Sequence, residues 1–258
     1  MATDRAETLL TEGRVWLPVA GLQEVLTEVL RRFSDDVLAN IDWDDLRAGK
    51  YTFWCQEPQE QGTDEPDDGL IYKCATDKSD PSIARTGKRP DHKVYMQWRW
   101  RTERLLRSRP SLYKLEFKVF FEIMAELQEL LTPHIDKMWR ELQLLRPELQ
   151  GFEVDQELSS IRVMRYLGVR DDESSLIGKT HTDRGAFTCH LGDSAPGLVV
   201  QNSKGEFELV PTTPEQTLIF TGDALARLTD RPAVVHGAAA GADAKRSIVV
   251  AFVWIKAK

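Results

Sequence analysis

The spacing of apolar residues shortens past Gly151. Upstream it is helical: in GLQEVLTEVLRRF, after an edge segment GRVWLPV, Leu22, Leu26, Val29, Leu30 and Phe33 share one stripe. A second helical region lies between about 110 and 148, where Leu115, Val119, Ile123, Leu127, Leu130 and Leu131 recur at the same period. Pro133 should kink or divide it, because its ring removes a backbone donor and crowds the preceding turn. Downstream the period falls towards two. LSSIRVMRYLG, GAFTCHL, GLVVQN, EFELVP, QTLIFTG, PAVVHGA and RSIVVAFVWI read as short strands parted by turn residues. Ser203-Lys204-Gly205 is a hairpin connection, and Gly222-Asp223 a tight turn before a short helical stretch.

Helices first and many short antiparallel strands afterwards predict an α+β fold with a mainly β core. The expected form is a β-sandwich or jelly roll buttressed by N-terminal helices. A single domain is expected over 1–258, with 1–150 a helical and looped part covering the site and 151–258 the core. Between about 56 and 92, stretches rich in Pro, Gly, Asp and Glu read as loops, either a lid or disorder.

Composition narrows the functional classes. The 258 residues are 41% hydrophobic and 29% charged with a formal charge of -7, so no nucleic-acid footprint is expected. A local basic cluster, WRWRTERLLRSR, reads as a basic turn or helix. No apolar run reaches membrane-spanning length, and MATDRAETLL carries acids where a signal peptide would be apolar. Three cysteines (Cys55, Cys74 and Cys189) form no CxxC pair and suit a reducing compartment. A cytoplasmic protein is expected, bound neither to membrane nor to nucleic acid.

The candidate chemistry lies in HTDRGAFTCH, where His181 and Asp183 stand two apart before an alternating run. On a strand, residues i and i+2 point to one side, so the pair is either half of a metal site or a hydrogen-bonded surface pair. A metal needs a third ligand. Of the five histidines, His236 lies in a strand-like run that a jelly roll can bring alongside. Two imidazoles and one carboxylate leave half the coordination sphere open, which suits iron(II) binding a bidentate co-substrate and O2. With zinc the same ligands would suit hydrolysis or isomerisation.

From Ile161 to Trp254 the chain resembles the iron(II)- and 2-oxoglutarate-dependent oxygenases, especially the isopenicillin N synthase-like branch. The matching features are IRVMRY, HTD with Thr188 five positions after the aspartate, GLVV before a hairpin, QTLIFTGDALARLT, and His236 followed by KRS. The resemblance implies a distorted double-stranded β-helix holding Fe(II) through His181, Asp183 and His236, with 2-oxoglutarate and O2 as co-substrates. Retention of Asp183 separates the chain from halogenating relatives, which lack that carboxylate.

The family places a basic residue nine or ten positions after the distal histidine to grip 2-oxoglutarate, with a hydroxyl two residues on. Lys245 fits that register because Ser247 then supplies the hydroxyl, whereas Arg246 is the better fork for a carboxylate. Tyr166 falls where the family often offers a hydroxyl to the same co-substrate. Thr188 and His190 share a strand face and are expected to meet substrate, although His190 also reads as a hydrogen-bonded core residue. The implied reaction is hydroxylation, desaturation or cyclisation of a small molecule, such as an amino-acid derivative or natural-product intermediate, with release of succinate and CO2. The tryptophans of YMQWRWR either line the cavity mouth or pack in the core. Two rivals remain: a non-oxidative metal-dependent hydrolase or isomerase, and an oxygenase that does not use 2-oxoglutarate.

Overall fold

A computed structural model of the chain describes residues 2–53, 68–73, 91–102, 117–168, 176–211, 213, 216–239 and 246–258. Helix α1 (Ala2–Glu12) leads into β1 (Arg14–Pro18), α2 (Leu22–Arg32), a π-helical turn (Phe33–Leu38) and α3 (Trp43–Arg47). Strands β2 (Thr52–Phe53), β3 (Asp68–Lys73) and β4 (Lys93–Arg99) follow, then the long helix α4 (Lys118–Leu145). The remainder is β5 (Phe152–Val154), β6 (Ser160–Tyr166), β7 (Leu176–His181), β8 (Phe187–Asp193), β9 (Leu198–Gln201), β10 (Phe207–Leu209) and β11 (Gln216–Thr221). Helix α5 (Asp223–Thr229) then precedes β12 (His236–Ala239), β13 (Arg246–Val253) and β14 (Ile255–Ala257).

Twelve of the fourteen described strands form two facing layers, and β5 and β14 pair separately. One is an eight-stranded sheet in the order β1-β11-β8-β13-β6-β4-β3-β2, the other a four-stranded sheet β10-β9-β12-β7, both antiparallel. This is the expected mainly β jelly roll, and β1 does lie at an edge. The first 150 residues are less helical than expected, since they supply β1 to β4 to the larger sheet.

Side-chain parity explains why the central strands are apolar on both faces. In β13, Val249, Ala251 and Val253 join the core shared with the helices, while Ile248 and Val250 belong to a cluster between the two sheets with Tyr95, Met164, Tyr166, Ile177 and Ala238. Helix α2 buries Leu22, Leu26 and Val29 as its pattern requires, and packs on α4.

Several expectations need correction. Helix α1 precedes the edge strand and buries Ala6, Leu9 and Leu10. Strand β3 crosses the stretch read as loop; residues 54–67 and 74–90, which hold most of the proposed lid together with Cys55 and Cys74, lie outside the described residues. Trp98 and Arg99 of the basic cluster belong to a strand, not to a helix. Helix α4 runs through Pro133 unbroken. Pro133 and Glu129 are both exposed, so the carbonyl that loses its intrahelical donor faces water. The buried stripe of α4 is Phe120, Met124, Leu127, Leu131, Ile135, Met138 and Leu142; Leu127 and Leu131 lie in it as expected, Ile123 and Leu130 are half-buried beside it, and Val119 is exposed.

Candidate metal and co-substrate site

The metal candidate sits where the smaller sheet opens. His181 ends β7 and His236 begins β12, and the two are direct cross-strand partners, which sets their rings 4.5 Å apart between centroids. Asp183 is not on that strand, nor on the alternating run that follows. It lies in the turn between β7 and β8, so strand parity is not what brings it to His181. Its backbone carbonyl accepts from Asp223 N at 2.7 Å, and its Oδ2 accepts from Thr188 Oγ1 at 2.6 Å. Oδ1 stands 3.4 Å from His181 Nε2 and Oδ2 3.5 Å from His236 Nε2. One donor atom from each of the three lies within 4.8 Å of the others.

The ring tautomers follow from backbone partners. His181 Nδ1 lies 2.8 Å from Lys179 O and His236 Nδ1 3.2 Å from Val234 O. A carbonyl only accepts, so each Nδ1 carries the proton and each Nε2 lone pair is left for a metal. Burial pushes His236 down to about 4, against the pull of Asp183, so it is neutral at neutral pH. Burial also works against the charge of Asp183, yet the two imidazoles and the Thr188 hydroxyl outweigh it and hold the carboxyl below its usual range. For the half-exposed His181, burial is outweighed by contact with Asp183, and its pKa is raised. Two neutral-tautomer imidazoles and one carboxylate, open to a cavity on the remaining side, fit a divalent metal with free coordination positions.

That cavity, about 360 Å³, lies between the two sheets and is lined by all three candidates, by Thr188 and His190 of β8, and by Tyr166 and Arg246. Arg246 opens β13 and is almost fully buried. Its Nε donates to Ala195 O at 3.0 Å and its Nη2 to Asp193 Oδ1, while Asp193 Oδ2 meets His190 Nε2 at 2.8 Å. Its Nη1 is buried without a hydrogen-bond partner among the described residues. A buried guanidinium nitrogen in that state is costly unless an anion completes it. Gly197 leaves room beside it: a Cβ there would come within 3.0 Å of Nη1. The observations fit a carboxylate-bearing co-substrate.

The other predicted residues divide by strand face. Ser247 is on the opposite face of β13 from Arg246 and does not line the cavity; its amide bonds Ser194 Oγ. Ser247, the hydroxyl expected to go with Lys245, therefore does not reach the site, and Lys245 itself lies outside the described residues. Thr188 supports Asp183, and His190 is tied to Asp193. Trp98 and Trp100 pack under α4, donating to Gln128 Oε1 at 2.8 Å and Thr132 Oγ1 at 3.1 Å, so it is Gln97 and Arg99 that face the cavity. Buried Cys189, its thiol pushed up to about 12, has no chemistry to offer. Sequence reasoning missed Asp193, Lys93 and Arg162. For Arg162 the signal was present, because in IRVMRY it shares parity with Tyr166.

Fold and donor set are similar to those of the iron(II)/2-oxoglutarate-dependent dioxygenases, whose family model matches the part of the chain that carries the site. Residues 158–255 match the family described as the 2OG-Fe(II) oxygenase superfamily. Iron(II), 2-oxoglutarate and O2 are the cofactor and co-substrates of that class. A full-length protein from Neurospora crassa, solved in complex with alpha-KG, is similar over 99% of this chain and 79% of its own, at 16% identity and TM-score 0.72. A putative 2OG-Fe(II) oxygenase family protein from Caulobacter crescentus is similar over 98% and 81%, at 17% identity and TM-score 0.69. A dioxygenase for auxin oxidation in rice follows at 97% and 76%, 16% identity and TM-score 0.59. At these identities the likeness is one of fold. No curated protein matches the chain significantly. Among the described residues, no helix is long and apolar enough to cross a membrane.

Proposed function

We propose that the chain oxidises a C–H bond of a small molecule, with 2-oxoglutarate consumed and succinate and CO2 released. Hydroxylation is the simplest outcome, with desaturation and cyclisation as variants. The bound iron supplies activation of O2 coupled to oxidation of 2-oxoglutarate. His181 and His236 hold it through Nε2, each kept in that tautomer by a backbone carbonyl, and Asp183 through its carboxylate, steadied by Thr188. Arg246 takes the far carboxylate of 2-oxoglutarate, aimed by Asp193 and Ala195 O, and Tyr166 borders the same pole. The sheet walls keep the reacting centre away from bulk water.

The observation that carries this reading is the partnerless Nη1 of Arg246 in the cavity that the His181, Asp183 and His236 donors also face. A hydrolase using the same metal would leave that cation without a ligand. The isopenicillin N synthase-like branch, a cytoplasmic setting, a single domain and independence from nucleic acid remain part of the proposal, supported by the motif spacing and charge. Succinate formation from 2-oxoglutarate is measured with purified protein, iron(II) and ascorbate under air. Metal- and O2-dependent succinate is expected; none, from folded protein that binds iron, defeats the reading.

A further inference from the structure

A β-bulge sets the residues behind Arg246. Along β8, His190 pairs with Val250 of β13 and Gly192 with Val249, which leaves Leu191 as the extra residue. Strict alternation would turn Asp193 to the face opposite His190. The bulge reverses that parity: Asp193 stands across from Ile248, which lines the cavity as Val250 and His190 do. Leu191 goes to the core shared with the helices.

The result is a chain of three buried polar side chains, His190, Asp193 and Arg246, of which Asp193 is buried completely. Asp193 Oδ1 accepts from Arg246 Nη2, and Oδ2 lies 2.8 Å from His190 Nε2. An ionised carboxylate only accepts, so His190 Nε2 donates. The backbone of His190 is pinned in turn, its carbonyl accepting from Thr217 Oγ1 of β11 at 3.0 Å.

A carboxylate and a guanidinium favour a fork with two parallel hydrogen bonds. Here His190 occupies the second oxygen, so Asp193 meets Arg246 through one oxygen alone. Nη1 is left without a partner among the described residues. We propose that His190 is a positioning residue for the co-substrate and not a substrate contact. By engaging Asp193 Oδ2 it keeps that carboxylate from closing on both terminal nitrogens of Arg246, and so preserves Nη1 for the far carboxylate of 2-oxoglutarate. The proposal rests on the oxygenase reading above and adds a residue to its co-substrate site.

The test uses the full chain loaded with manganese(II) and compares 2-oxoglutarate with 2-oxopentanoate, in which a methyl group replaces the far carboxylate. The ratio of their dissociation constants, measured calorimetrically, isolates the contact at Arg246. In the parent, 2-oxoglutarate is expected to bind about ten- to a hundredfold more tightly. His190→Leu should cut that ratio about tenfold while leaving the affinities for 2-oxopentanoate and manganese(II) nearly unchanged. His190→Gln, which keeps an N–H at a similar reach, should restore most of it. A ratio that survives His190→Leu, an equal loss for both ligands, or a His190→Gln variant no better than His190→Leu overturns the proposal. If His190→Leu fails to fold, His190→Phe, which keeps a ring without a donor, is measured in the same way. Should both fail, nitrogen-15 histidine spectra of the unmodified chain loaded with zinc(II) decide. The Nε2–H signal of His190 should then shift with 2-oxoglutarate and stay in place with 2-oxopentanoate, and equal behaviour with the two ligands overturns the proposal. Failure of 2-oxoglutarate to bind the manganese-loaded parent defeats the oxygenase reading; binding that His190 does not affect defeats only this inference.

Discussion

Asp193 commits one carboxylate oxygen to His190 and the other to Arg246, which leaves Nη1 of that guanidinium as the donor facing the cavity. A charge-assisted bond lost from such a position costs about 1.5–3 kcal/mol. Arg246→Met should therefore weaken 2-oxoglutarate binding about ten- to a hundredfold, read by titrating the manganese-loaded protein. Lys245→Met should change it little, and a larger loss there would move the anchor to the lysine. Thr188 acts one bond further out. Thr188→Val keeps its shape but removes the donor at Asp183 Oδ2, and metal affinity should fall about tenfold or more, since partners that orient ligands typically matter to that extent. An unchanged metal titration would show that Asp183 is held by its backbone alone. At this scale, residue type was legible in the sequence and direction was only partly so. HTD and the later histidine announced the candidate ligands, but the strand face that turns Arg246 into the cavity and Ser247 out of it could not be read from the sequence.

The turn between β11 and α5 shows what an element contributes to the site. Gly222 passes so close to the β7–β8 turn that a Cβ would meet Gly185 O at 2.4 Å and Asp183 O at 2.9 Å. Backbone atoms cannot yield as a side-chain tip can. Gly222→Ala should thus cost about 1–3 kcal/mol in denaturant unfolding and also weaken metal binding, because Asp223 N anchors the Asp183 carbonyl through the same turn. Loss of stability with metal affinity intact would mean that the turn is a packing feature only. The strands around this turn were readable from alternation because each has one face in the core and one towards the cavity. Strand β7 escaped notice: in LIGKTH neither face is uniformly apolar, with Gly178 and Thr180 on one and Lys179 and His181 on the other, and Gly178, Lys179 and His181 border the cavity. Pro133 misled for a related reason, because a breaker is tolerated where the freed carbonyl meets solvent, and exposure is invisible to local pattern.

For the molecule as a whole, the donor set ties together segments far apart in the chain that pair as neighbouring strands of the smaller sheet. His181 and Asp183 belong to the β7 end and the turn after it, His236 to the start of β12 more than fifty positions later. A ligand bound by the folded arrangement and not by the unfolded chain stabilises the fold by mass action. Iron(II) or manganese(II) at a hundred times its dissociation constant should add about 2.7 kcal/mol, which for a chain of this length is a rise in Tm on the order of 5 to 10 °C. His181→Ala is the sharpest control. Its ring is half-exposed and contributes little core packing, so the metal-free Tm should stay close to that of the parent while the metal-induced rise disappears. Calorimetric scans of the two metal-free proteins with and without manganese(II) separate the terms. A rise that persists in His181→Ala places the ion elsewhere, whereas a metal-free Tm that collapses makes the histidine a packing residue before it is a ligand.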